Sequence, residues 1–391
     1  MGIGEMCHMQ NKPLNETWNG IETIIVYGMG LVASRFIDKM MQDFQIPFMI
    51  DYKKRGTKYR NIPIVAYEEA REELIQKKTK IVVMTSQRVY CDIQKILEED
   101  GLTEGEDFCR IEQFVVEWYW TNRNMVNVIQ VNTAVTTWCS LNCEKCNMFM
   151  PYYDNSVRHH YSIQEMKDDI DIFLSYVDYL FCYDILGGEP FLNRELKDLI
   201  EYIGENYPHK VGRMEITTNG TIVPEDEVLL RIKKYNVMIS ISDYTEGLPY
   251  KEKMESLIKR LDEWEIPYIR NSMTEWKDFG FPKEPFHWGK ENVCEHMKSC
   301  SPLFHGINDK KLYYCHVIWS AEKAGLYTVP KQDYIDLTQL DCNNLSDRKR
   351  VSNYCTGECE RGFLGFCMVC GGCGADNTRI IPVGVQVQKT I

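Results

Sequence analysis

The sequence predicts a protein of the α/β class, built from two stretches of alternating strands and helices and closed by a cysteine-rich end. Three observations carry that reading. Short β-branched apolar runs alternate with amphipathic segments from residue 21 to 113 and again from 126 to 273. After residue 282 the pattern gives way to aromatic, glycine-punctuated segments without long helices. Eight of the 16 cysteines, Cys342 aside, fall between Cys294 and Cys373. At 391 residues and 44% apolar content the chain can fill two or three cores. We divide it into a tail (1–20), a first α/β domain (21–122), a second (123–290) and a cysteine-bearing domain (291–391).

The first domain opens on a buried strand at 23–27, turns at Gly28-Met29-Gly30-Leu31-Val32-Ala33, and runs through a helix to a strand ending at Asp51. A helix from Tyr67 and a strand at 81–84 follow. A GxGxxA turn between strand and helix, with an acid about 20 residues later, is the arrangement of a dinucleotide-binding unit. The same glycines equally serve a tight turn, with Asp51 a plain strand-end acid. Val26-Tyr27-Gly28-Met29-Gly30 together with Ile62-Pro63-Ile64-Val65 resembles the Rossmann-like accessory domains of nucleotide-sugar and capsular-polysaccharide enzymes.

In the second domain strands are expected at 126–136, 179–186, 213–218, 237–242 and 268–273, and helices near 162–176, 194–206, 226–234 and 252–264. Repeated βα units give parallel strands with right-handed crossovers, in an open sheet or a barrel-like arc. The net charge of −12 offers no general attraction to phosphate backbones, and no apolar run approaches the roughly 20 residues of a membrane span. Without a signal-peptide core at the N-terminus, the expected location is cytoplasmic, with neither nucleic acid nor membrane as partner. There, clustered cysteines point to metal thiolates rather than disulfides.

Cys139, Cys143 and Cys146 have CxxxCxxC spacing directly after the first strand of the second series. Loops at the carboxyl ends of parallel strands are where such folds carry their sites. Three thiolates are one short of saturating a [4Fe–4S] cubane, which leaves one iron open to a small molecule. A zinc site with a distant fourth ligand and three packing thiols are the competing readings.

With Gly187-Gly188-Glu189-Pro190 after the second strand and Thr217-Thr218-Asn219-Gly220 after the third, the triad resembles the radical S-adenosylmethionine (SAM) superfamily. The resemblance implies a partial (β/α)6 barrel, a [4Fe–4S] cluster on Cys139, Cys143 and Cys146, and SAM bound across the strand ends. The Gly187–Pro190 loop would meet the SAM amino group through its carbonyls, and later strands its carboxylate and ribose. Period-two alternation puts Ser240 and Ser242 on one face of the fourth strand and Thr217 with Asn219 on one face of the third. Arg270 on the fifth strand suits a carboxylate, or equally a surface ion pair. Where family members often carry an aromatic residue before the third cysteine, this chain has Lys145. The implied activity is reductive cleavage of SAM to a 5′-deoxyadenosyl radical that takes hydrogen from a substrate, with flavodoxin or ferredoxin as electron donor.

Cys294-x5-Cys300-x14-Cys315 and Cys370-Gly371-Gly372-Cys373 resemble the SPASM extension of the same superfamily, whereas Cys355-x3-Cys359-x7-Cys367 is looser. The implied complement is two auxiliary [4Fe–4S] clusters, or one of the shorter "twitch" kind with spare thiols; a zinc ribbon is the alternative. In sulfatase-maturating relatives an aspartate base follows the third cysteine of this run. Here His316 stands there, as catalytic base or as a donor to cluster sulfur. The expected function is a radical SAM oxidoreductase acting on a small molecule such as a sugar or nucleotide-linked sugar. A peptide or protein maturase and a non-enzymatic iron or redox sensor are the alternatives.

Overall fold

A computed structural model describes residues 12–77, 79–300 and 304–387, so part of the expected tail (1–11) lies outside the described residues. The chain divides into two compact units, 1–127 and 128–391. In the first, parallel strands stand in the order Ile62–Val65, Met49–Ile50, Ile25–Tyr27, Ile81–Val83, Phe108–Arg110. That is the 3-2-1-4-5 order of a doubly wound sheet. Val26 and Val82 are 0% exposed, so these strands are covered on both faces, which is why they read as unbroken apolar runs. Asp51 folds back onto the glycine turn: its carboxylate accepts from Met29 N at 2.8 Å and from Lys53 N at 2.9 Å. Residues 12–20 pack on this unit through Trp18, whose Nε1 donates to Gly105 O at 3.0 Å.

In the second unit Asn127–Ala134, Tyr179–Leu186, Met214–Thr218, Met238–Asp243 and Tyr268–Ser272 lie side by side in chain order. The helices Ile163–Tyr176, Leu196–Asn206, Asp226–Lys234 and Lys251–Glu263 return between them. This is a partial barrel whose sheet does not close on itself. Ser162 starts the first of these helices with a capping box to Glu165, and Met166, Ile170 and Phe173 form its buried stripe. Among the described residues no helix is long and apolar enough to cross a membrane.

The sheet is extended at its other edge by the cysteine-bearing part of the chain. Gly306–Asn308 pairs parallel to the first barrel strand, with Gly306 opposite Asn132, and Lys311–Tyr313 and Tyr334–Asp336 follow antiparallel. The hairpin turn puts Asp309 and Lys310 at φ 57° and 59°, the left-handed pair of a type I′ turn. Asp169 holds it, accepting from Asp309 N at 3.1 Å and Lys310 N at 2.6 Å. Asp169→Ala would leave both N–H groups without that partner, at a turn where Asp309 is exposed and Lys310 half-buried. It should cost about 1–2 kcal/mol in urea denaturation, and a loss under about 0.5 would show that the hairpin does not lean on it.

Candidate active site

The carboxyl ends of the first three barrel strands bring three loops together. Gly188 N donates to Thr136 O at 2.9 Å and Glu189 N to Trp138 O at 2.8 Å, so the second loop runs against the chain entering Cys139. No side chain fits between them. A Cβ on Gly188 would lie 2.1 Å from Trp138 O and 2.9 Å from Cys139 Cβ, and one on Gly187 2.4 Å from Thr136 O. Both glycines are therefore demanded by the approach of two backbones, before any ligand is considered.

Glu189, expected at the cofactor, spends its carboxylate inside the protein. It is 0% exposed, and its oxygens accept from Thr218 Oγ1 at 2.8 Å, Asn219 N at 3.0 Å and Phe191 N at 3.3 Å. Burial pushes it up to about 7, against the pull of those donors. Its side chain thus fastens the Gly187–Pro190 loop to the loop at 217–220. Pro190 is buried and opens a short turn. Asn219 carries the link onward, donating through Nδ2 to Ser140 Oγ at 3.2 Å and Cys139 Sγ at 3.5 Å.

Each sulfur of the triad receives N–H donors. Cys139 Sγ accepts from Leu141 N at 3.4 Å, Cys143 Sγ from Gln386 Nε2 at 3.2 Å, and the backbone N–H groups of Met148, Phe149 and Met150 serve Cys146. Burial pushes all three thiols up, Cys143 to about 11, and the neighbouring thiol charges push Cys139 and Cys143 further. Thiolates here need a cationic centre, and donors aimed at sulfur fit ligating thiolates better than packing thiols. Among the described residues no three His, Cys, Asp or Glu side chains close around a single metal ion. Lys145 pairs with Asp278 at 3.0 Å and Glu284 at 3.5 Å.

On the barrel strands Thr217 stands in register with Ser240. Ser240 and Ser242 are part-exposed while Ile239 and Ile241 are fully buried, so the hydroxyls share the open face. Thr217 Oγ1 donates to Asp184 Oδ1 at 3.0 Å. Arg270 stands apart from these residues. Its register partner is Ile241, on the opposite face, and its guanidinium donates to Asp243 through Nε at 2.7 Å and Nη2 at 2.7 Å.

In the cysteine-rich part, Cys300 Sγ and Cys373 Sγ lie 3.6 Å apart, and Cys315 and Cys370 feel the charge of this pair or of each other. Cys294 neighbours Cys359, Cys367 lies between Cys359 and the first group, and Cys355 is raised by burial alone. His316 is 1% exposed and opens a helix directly after Cys315. Asn308 pairs with both Ala134 N and Ala134 O, which fixes its Oδ1 as acceptor; His316 Nε2, 3.0 Å away, therefore carries the proton. Nδ1 holds the lone pair, without a hydrogen-bond partner among the described residues, and burial pushes His316 down to about 3.

Two residues of the site were given no role by the sequence reading. Thr218 alternates away from the ligand-facing side, and Gln386 sits in a segment with no motif. Residues 133–264 match the profile of the Radical SAM superfamily. No curated protein matches the chain. Among solved structures it is similar to native anSMEcpe with bound AdoMet (12% identity, TM-score 0.37, covering 60% of this chain and 90% of that one). It is also similar to BtrN in complex with AdoMet and 2-DOIA (11%, 0.38, 59% and 86%). A third is Streptococcus suis SuiB bound to precursor peptide SuiA (14%, 0.30, 59% and 47%).

Proposed function

We propose, for a chain whose residues 133–264 match the Radical SAM superfamily, that it is an oxidoreductase which cleaves SAM and takes hydrogen from a small-molecule substrate. One observation carries this reading: three neighbouring thiols, each with N–H donors at sulfur, packed against a loop whose glycines admit no Cβ. Cys139, Cys143 and Cys146 would hold the [4Fe–4S] cluster, which when bound supplies the electron for SAM cleavage. Carbonyls of the Gly187–Pro190 loop accept from the SAM ammonium. Asn219 orients the loop carrying Cys139, and the hydroxyls of Thr217, Ser240 and Ser242 offer donors on the open face.

Cys300, Cys315, Cys370 and Cys373 are the proposed ligands of one auxiliary cluster, supported by their proximity. Cys294, Cys355, Cys359 and Cys367 are the candidates for a second. His316 would take a substrate proton at Nδ1, its lone pair oriented by Asn308, only as a transient relay, because burial holds it near 3. A flavodoxin or ferredoxin would supply electrons. A sugar or nucleotide-linked sugar is the substrate class favoured by the 3-2-1-4-5 sheet of the first unit.

Anaerobic reconstitution with iron and sulfide, followed by Mössbauer spectroscopy and chromatography of 5′-deoxyadenosine, tests the assignment. The expected result is a cubane lost on replacing Cys139, Cys143 and Cys146 together, and SAM cleavage stimulated by nucleotide sugars. Zinc in the triad, or no cleavage by fully loaded protein, would overturn it; stimulation by a peptide alone would move the substrate to the maturase class.

A further inference from the structure

A segment far along the chain comes down on the same cysteine loop. After Cys373 the strand Ile380–Pro382 pairs antiparallel with Glu275–Lys277, Trp276 opposite Ile381. The chain then crosses the triad: Glu144 N donates to Val385 O at 2.7 Å, Val387 N to Asn142 O at 2.8 Å, and Cys143 stands opposite Gln386. Within this ladder Gln386 Oε1 accepts from Asn142 N at 2.7 Å. Its Nε2 donates to Gly384 O at 2.6 Å and to Cys143 Sγ at 3.2 Å. A backbone N–H on one side and a carbonyl on the other fix the amide's orientation, so a donor must face the sulfur.

We infer that Gln386 is a positioning residue that tunes the cluster held by the triad, easing its reduction through the hydrogen bond to Cys143. The inference rests on the cluster reading above. Reduction adds negative charge that spreads onto the ligating sulfurs, and an N–H aimed at one of them favours the reduced form; such bonds are among the levers that set cluster potentials. Cys139 and Cys146 draw donors from their own loop and the barrel, whereas Cys143 draws its side-chain donor from the segment that follows the last auxiliary cysteine. Folding of the C-terminal part is thereby coupled to the electronics of the first site.

The test compares full-length wild type, Gln386→Ala, Gln386→Glu and Val385→Ala, reconstituted anaerobically, by iron and sulfide content and by an EPR-monitored redox titration of the signal that disappears when Cys139, Cys143 and Cys146 are replaced together. Val385 bonds the loop only through its backbone, so its variant should keep the wild-type midpoint. Gln386→Ala should load normally but reduce with an equilibrium constant about tenfold smaller, about 59 mV for a one-electron couple. Gln386→Glu keeps the acceptor for Asn142 N and places a negative charge at the sulfur, so it should fall further. A wild-type midpoint in loaded Gln386→Ala would overturn the inference. So would loss of the cubane from both Gln386 variants, which would make the role purely structural. A wild type without a cubane at the triad would sink the cluster reading instead.

Discussion

Gly188→Ala should all but abolish SAM cleavage. The added Cβ would meet Trp138 O at 2.1 Å, Trp138 C at 2.5 Å and Cys139 Cβ at 2.9 Å, two of them backbone atoms that no rotamer change can move aside. The clash is relieved only by parting the two loops by on the order of 1 Å, and misplacement on that scale can cost a factor of about 10². We therefore expect 5′-deoxyadenosine formation below about 1% of wild type, about 2.7 kcal/mol of lost transition-state stabilisation. Iron at the triad should fall with it, because Cys139 is carried by the displaced backbone. Gly289→Ala is the control: no atom beyond its chain neighbours lies within 4 Å of its added Cβ, and activity should be unchanged. Activity within tenfold of wild type in Gly188→Ala would show that the close approach is dispensable.

Which parts of this site could be read from the chain depended on how local the determining interaction is. The first βα series was legible because burial on both faces leaves an unbroken apolar signature, and the barrel series because strands such as Met238–Asp243 alternate and caps such as Ser162 with Glu165 lie three residues apart. The cysteine spacing was legible for the same reason. Face assignment was harder. Alternation pairs Ser240 with Ser242, but only register against neighbouring strands shows that Arg270 sits with Ile241 and away from them. The strand Gly306–Asn308 is too short to display a period, and its backbone registers against the barrel at the single pair Gly306 and Asn132. Glu189 and Gln386 were not legible as what they are. A carboxylate within a glycine loop reads as a ligand until Thr218 and Asn219 are seen to occupy it, and Gln386 meets Cys143 across 243 residues of sequence.

Glu189 also makes the stability of the protein depend on pH in an unusual direction. Its folded value near 7 lies above the ordinary 4.5 because complete burial outweighs three hydrogen-bond donors. Between those limits the native state keeps a proton that the unfolded chain has lost, so raising the pH pulls the equilibrium toward unfolding. The contribution is fully present below about 4.5, is lost as pH rises, and is constant above about 7; the whole change is about 3 kcal/mol. Asp169, raised by burial from 3.8 to about 7, acts in the same sense and adds to the slope. Glu189→Gln removes one of the two protons while keeping the shape. Its amide must set an NH2 against either Asn219 N–H or the Thr218 and Phe191 donors, so it should be less stable than wild type at every pH, by about 1–3 kcal/mol where Glu189 is ionised. Urea denaturation at pH 5, 6, 7 and 8 should show the gap between wild type and variant narrowing by about 2.5 kcal/mol from the acid to the alkaline end. Parallel curves for the two proteins would mean that Glu189 is ionised in the native state throughout this range, and that its donors, not its burial, decide its charge.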